Sequence, residues 1–336
     1  MRCLTDLETQ MMSVLRISEI TDLDELFVSG DFPKDKQSPD NPGKKMPREF
    51  SEPGSALKSL KVSPSPKSDV SLMKSGWPWS GSIEIKNVSM RYNDVSPLVL
   101  KNLSLSIPAG TTLGIVGRTG SGKSSLLLLL FRLFEIEGDG SIEIDGVDTR
   151  SVSIQSLRES LSIIPQDPVL FAGSVLYNLD ATGKSSREDA WKALEAASPD
   201  LARQFRETGD GLDTVISEGG KNLSVGQRQL VCLARALLRN SKILVMDEAT
   251  SSVDGTTDEQ VQETIRNEFL AKGVTVITVA HRLDTIINYD KIAVLKDGEL
   301  VEYGSPNELK IKNGEFRKLI DADQKNKMKV LKLEPV

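Results

Sequence analysis

Residues 117–124 read Gly-Arg-Thr-Gly-Ser-Gly-Lys-Ser, between the short apolar run Thr111–Val116 and the longer apolar stretch Ser124–Phe134. Glycine at 117, 120 and 122 interrupts any regular element, so the chain must turn there. The run before the turn has the length of a buried strand, and the stretch after it that of a helix. Ser124–Phe134 is apolar on every side, as expected of a helix enclosed between layers. A strand, a glycine turn and a buried helix in succession restrict the chain to layered α/β arrangements.

The rest of the chain fits that restriction. Ile243–Met246, Val274–Thr278 and Ile292–Leu295 are short β-rich runs of the kind buried on both faces of a parallel sheet, and helical stretches separate them. Ile83, Ile85 and Val88 with Tyr92 predict a strand, and Leu98–Ile107, Ile142–Ile144 and Leu161–Ile164 predict others, with Asp145-Gly146 as a turn. Arg187–Ala197 and Ser224–Leu238 read as helices, and residues 170–235 as a mostly helical subdomain. Four regions are expected along the chain. Residues 1–28 carry Leu4, Leu7, Met11, Val14 and Leu15 at helical spacing, a helix packing either on its own core or against a partner. Residues 29–80 are rich in Pro, Ser, Lys, Asp and Gly and read as a flexible linker. Residues 81–325 form the folded domain, and 326–336 a tail.

Bulk properties narrow the partners. The net charge of −6 argues against a nucleic-acid binder, which needs a basic surface to release counterions. Two cysteines, Cys3 and Cys232, make no disulfide framework, and a reducing compartment is the simpler reading. With His281 as the only histidine, no metal-ligand cluster is visible. No stretch approaches the roughly eighteen apolar residues that a membrane crossing requires, so the chain taken alone reads as soluble.

A glycine loop that opens a helix turns several backbone N–H groups toward one point. The helix terminus adds about half a positive charge there. The string 117–124 has the G-x-x-x-x-G-K-[ST] form that holds nucleotide phosphates. Lys123 is placed for the β- and γ-phosphates, and the Ser124 hydroxyl for Mg²⁺. Asp247 and Glu248 end the run Ile243–Met246. Neighbours at a strand end diverge, so Asp247 can hold the metal while Glu248 orients or deprotonates an attacking water.

These residues, with Leu223-Ser224-Val225-Gly226-Gln227, resemble the nucleotide-binding domain of ATP-binding cassette (ABC) transporters over roughly residues 82–322. The resemblance implies a P-loop NTPase core with a mostly parallel sheet, an N-terminal antiparallel β subdomain and an inserted helical subdomain. It implies ATP and Mg²⁺ as cofactors. The phosphates would lie along Gly117, Arg118, Thr119, Gly120, Ser121, Gly122, Lys123, Ser124 and Ser125. Ser224, Gly226 and Gln227 would meet the γ-phosphate held by a second nucleotide-binding domain. Gln166 matches the glutamine that senses metal and γ-phosphate, Asp254 the aspartate crossing the dimer interface, and His281 the histidine touching the γ-phosphate. Tyr92 matches the aromatic that stacks on adenine, although a core role is open to it. Glu248, His281 and Gln166 are thus the expected catalytic set, and Ser124, Gln166 and Asp247 the metal set.

Within the family, Ile163–Phe171 and Gly219–Leu230 are most similar to the second domain of subfamily C, the multidrug-resistance-associated type. Glu8–Arg16, in the helix expected at 1–28, resembles the end of the last membrane-spanning domain of those transporters and its connector. Val225 replaces the usual glycine of the signature Leu223–Gln227, and Leu15 an acidic residue usual in that connector. The chain looks like the C-terminal piece of an exporter whose membrane helices lie elsewhere, acting at the cytoplasmic face of a membrane with transmembrane domains as partners. Alternatives are a soluble ABC protein of translation or DNA repair, and a regulatory domain that binds ATP without cleaving it. No heptad repeat separates Lys123 from Asp247, as repair ATPases would require, and Glu248 is the residue a non-cleaving domain would lack.

Overall fold

The computed structural model describes residue 72 and residues 75–247, 255–280 and 282–331. The chain divides into two units, Met1–Pro64 and Ser65–Val336, and every described residue belongs to the second. The expected helix at 1–28 and most of the expected linker lie outside the described residues.

The N-terminal strands β1 (Ile83–Met90) and β2 (Leu100–Ile107) pair antiparallel, Ile83 facing Ile107. Alternation buries Ile83, Ile85, Val88 and Met90 on one face. The register shifts between Ile85 and Val88, where Asn87 takes φ 49°. Next come β3 (Thr112–Val116) and the helix α1 (Lys123–Leu130), joined by the glycine loop. The strand β4 (Ser141–Ile144) pairs antiparallel with β1, and β5 (Val147–Asp148) pairs with β4 across the Asp145-Gly146 turn. After α2 (Ile154–Glu159) and β6 (Leu161–Ile164), a short pair, β7 (Gly173–Ser174) and β8 (Val215–Ile216), brackets three helices. These are α3 (Val175–Leu179), α4 (Arg187–Ala197) and α5 (Pro199–Glu207). Helix α6 (Val225–Arg239) leads into β9 (Ile243–Asp247), and α7 (Gly255–Thr264) continues through a π turn at Ile265–Phe269 toward β10 (Thr275–Val279). The chain closes with α8 (Leu283–Ile286), β11 (Lys291–Lys296), β12 (Glu299–Gly304), α9 (Pro306–Ile311) and α10 (Glu315–Leu331).

Two sheets carry the domain. One is antiparallel, in the order β2-β1-β4-β5; the other runs β12-β11-β3-β10-β9-β6, parallel throughout except for the edge strand β12. Every residue of β3 and β10 is buried, as a parallel sheet covered on both faces requires. Leu126, Leu127 and Leu130 of α1 pack in one cluster with Ile83, Ile85 and Ile107 of the antiparallel sheet and Ile115 and Ile277 of the parallel one. The other face of the parallel sheet, through Ile164, Leu244, Met246 and Val276, meets a second cluster built from α3–α7. This is the expected α/β P-loop NTPase architecture, with its antiparallel β and helical subdomains.

Element ends differ from the sequence reading. The helix expected to reach Phe134 stops at Leu130, and Arg132 turns to φ 46°. Arg158 sets that stop by donating to the carbonyls of Phe131 (3.0 Å) and Arg132 (3.1 Å). Packed structure also begins before residue 81. Trp77 is buried, and its indole N–H donates to the Ile144 carbonyl at 3.0 Å. Asp145 then accepts from the backbone N–H groups of Ser80, Gly81 and Ser82 and from the hydroxyls of Ser80 and Ser82. Burial pushes the Asp145 carboxyl up, but these donors together outweigh it and hold the group well below the usual carboxylate range.

Candidate nucleotide site

In the parallel sheet, Val279 of β10 is level with Ile115 of β3 and with Asp247 of β9, and Met246 is level with Ile164 of β6. The carboxyl ends of four strands therefore share one edge. The glycine loop leaves from β3, Asp247 ends β9, and Gln166 stands two residues past β6 on that edge. Open α/β sheets take their ligands at the carboxyl edge.

The glycine loop is shaped from within. The Ser121 N–H donates to the Arg118 carbonyl at 3.0 Å, closing a turn. Lys123 folds back, its Nζ donating to the carbonyls of Gly117 (3.0 Å) and Arg118 (3.4 Å), and the residue is only 5 % exposed. A Cβ at Gly117 would lie 2.3 Å from the Leu295 carbonyl oxygen, so glycine there is required by the fold. Gly120 is different: φ is 82°, yet a Cβ would meet nothing within 4 Å. The loop presents bare backbone to open space at that point, together with exposed Arg118 and Thr119.

Helix α1 starts at Gly122, which offers no side-chain cap, and its first turn contains no acidic residue. Its leading amides have no intrahelical acceptor by helix geometry, which makes them an anion site. The buried Ser121 hydroxyl oxygen has no hydrogen-bond partner among the described residues. A triphosphate fits this cradle. Ser124, half-buried in the first turn of α1, Asp247 and Gln166 offer hydroxyl, carboxylate and amide oxygens, the hard donors that Mg²⁺ selects. Among the described residues no group of three or more His, Cys, Asp or Glu could form a protein-only metal cage.

Tyr92 lies just past β1 and is 36 % exposed, and its hydroxyl is hydrogen-bonded to that of Ser125 at 2.8 Å. Ser224, Gly226 and Gln227 stand elsewhere, at the N-terminus of α6. There a reciprocal capping box forms: the Gln227 N–H donates to Ser224 Oγ at 3.1 Å, and the Ser224 N–H donates to Gln227 Oε1 at 2.9 Å. The Gln227 amide also donates to Gln204 Oε1 at 2.8 Å. Gly226 is buried because α7 comes close: a Cβ there would stand 3.0 Å from Thr257 Oγ1.

Glu248, Asp254 and His281 lie outside the described residues. Their flanks are tied together: Arg282 and Asp258, the latter in α7, form an ion pair at 3.5 Å. Two residues near the site were not singled out from sequence. One is Asp258. The other is Gln229, buried on α6, whose amide donates to the Pro165 carbonyl beside Gln166 at 3.4 Å. The signal for Gln229 was an amide directly before the apolar run Leu230–Leu233.

Residues 100–251 match the family model described as ABC transporter. The chain is 53 % identical over 240 residues to ATP-binding cassette sub-family C member 2 of Rattus norvegicus, covering 71 % of this chain and 15 % of that protein. It is 49 % identical over 254 residues to multidrug resistance protein mrp-7 of Caenorhabditis elegans, covering 75 % and 16 %. A bacterial Atm1-family ABC exporter, solved with ATP bound, superposes with a TM-score of 0.67 at 36 % identity, over 72 % of this chain and 42 % of that one. The match thus spans only about a sixth of the curated relatives' length. Among the described residues, no helix is long and apolar enough to cross a membrane.

Proposed function

Since this chain carries an ABC transporter domain of the subfamily C kind, we propose that it binds Mg·ATP at the carboxyl edge of its parallel sheet. It hydrolyses the ATP across an interface with a second nucleotide-binding domain. Closure of the two domains drives transmembrane domains of an exporter at the cytoplasmic face of a membrane. The observation carrying this reading is the uncapped N-terminus of α1 behind a glycine loop that leaves β3, whose Ile115 is level across the sheet with Asp247.

The residues divide the work. The loop from Gly117 to Gly122 and the first amides of α1 bind phosphate oxygens, and Lys123 adds a positive charge to the β- and γ-phosphates. Arg118, Thr119 and Ser125 border the same cradle, and Tyr92 offers a ring to the base. Ser124, Asp247 and Gln166 hold Mg²⁺, which when bound neutralises charge on the β- and γ-oxygens. Glu248 takes the proton of the attacking water, and His281 holds the γ-phosphate. The Ser224 hydroxyl accepts from Gln227 as a cap, so its own hydrogen is left to donate to a phosphate on the facing domain. Gly226 lets α6 sit against α7, and Gln227 locks the cap. Asp254 crosses the interface.

Single-turnover hydrolysis by the full chain tests this. Glu248→Gln is expected to keep ATP binding and slow cleavage by about 10²–10⁴-fold, the usual weight of a general base. Undiminished cleavage would remove Glu248 from the role.

A further inference from the structure

Both constraints on the Tyr92 ring come from one source. Its hydroxyl is bonded to Ser125 in the first turn of α1. Its ring is crossed at 84° by Phe134, just beyond the end of the same helix, with centroids 5.1 Å apart. Ser125 is only 4 % exposed, so its hydroxyl needs an internal partner, and it finds one 33 residues away in sequence. Tyr92 nevertheless remains 36 % exposed. The aromatic group is therefore referenced to the helix whose N-terminus forms the phosphate cradle, and not merely to its own strand.

Resting on the ATP reading above, we infer that Ser125 is a positioning residue for the nucleobase. Its bond to Tyr92 fixes the ring at a set offset from the glycine loop, so base and phosphates are recognised as one rigid unit. A ring already fixed loses less conformational freedom when a base stacks on it. Tyr92→Phe keeps the ring and its contact with Phe134 but removes the bond. Ser125→Ala removes the same bond from the other side.

The test is titration of the full chain with Mg·ATP and, separately, with Mg·tripolyphosphate, which carries the phosphates without a base. Each single variant is expected to weaken ATP binding by about three- to tenfold, the cost of ordering one side chain on binding. The double variant should be no weaker than either single, because one bond is lost in all three. Tripolyphosphate should bind Tyr92→Phe as it binds wild type, which also shows that this variant is folded. The inference is overturned by Tyr92→Phe binding ATP like wild type, by the two losses multiplying, or by Ser125→Ala weakening tripolyphosphate as much as ATP. The last would mean that Ser125 touches phosphate directly. A wild-type chain that binds tripolyphosphate but shows no preference for ATP also overturns it, and one that binds neither sinks the ATP reading and this inference with it.

Discussion

Glycines 117 and 120 sit three residues apart in one loop and answer to different demands. At Gly117 a side chain would strike the Leu295 carbonyl, so the fold itself excludes one. At Gly120 the surroundings are empty, and alanine would add only the strain of φ 82°, about 1–2 kcal/mol. Gly120→Ala is therefore expected to fold and melt a few degrees lower, while its ATP affinity falls by more than that loss accounts for. The added methyl would occupy the space the phosphates use. Melting curves and ATP titrations compared side by side check this, and an unchanged affinity would mean that phosphate does not approach the loop at 120. Lys123 was legible as the loop's cation from its place in the string. Its bonds to the Gly117 and Arg118 carbonyls were not, because they depend on how the loop folds back on itself.

At the scale of elements, the N-cap of α6 and the Asp145 clasp each make a prediction. Ser224→Ala should cost about 1 kcal/mol of stability by opening the capping box. Aspartate caps as well as serine, so Ser224→Asp should preserve stability yet suppress hydrolysis, since it places a negative charge where a facing γ-phosphate is expected. Denaturant melts together with steady-state ATPase separate the two effects. Equal activity in Ser224→Asp would confine Ser224 to capping. The Asp145 carboxyl titrates below its unfolded value, so its clasp on residues 80–82 is fully formed above about pH 4, the ordinary aspartate range. It is lost as the pH falls from there toward the lower folded value, because the unfolded chain binds the proton first. The melting temperature should drop more steeply between pH 5 and pH 3 in wild type than in Asp145→Asn, and parallel slopes would contradict this. Strand β3 and helix α1 were legible because their apolar runs fill whole elements. The end of α1 was not, because the apolar pattern runs on to Phe134 and the stop is imposed by Arg158, far along the chain. Likewise no local signal joins Tyr92 to Ser125, or Gln229 to Pro165; those pairings exist only once the two sheets and α6 are assembled.

For the whole molecule, the order of the parallel sheet decides what the separate motifs can do together. The β3, β10, β9 and β6 runs were each readable as strands, but their order was not, and that order sets Asp247 level with the strand entering the glycine loop. The capping box of α6 belongs to the other packing cluster, its hydrogen bonds running to its own helix and to Gln204. On the proposed reading a site that combines the loop with this cap is shared between two domains, and ATPase activity per molecule should then rise with protein concentration or with an added partner domain. Rate measurements over a dilution series check this, and a flat specific activity would contradict shared sites. The claim beneath all of these is that the α1 cradle holds a triphosphate. Calorimetric titration of Mg·ATP into the full chain and into Lys123→Ala tests it most directly. Binding weakened tenfold or more in the variant is predicted, since hydrogen bonds to charged groups contribute about 1.5–3 kcal/mol; equal affinity in the two proteins would contradict it.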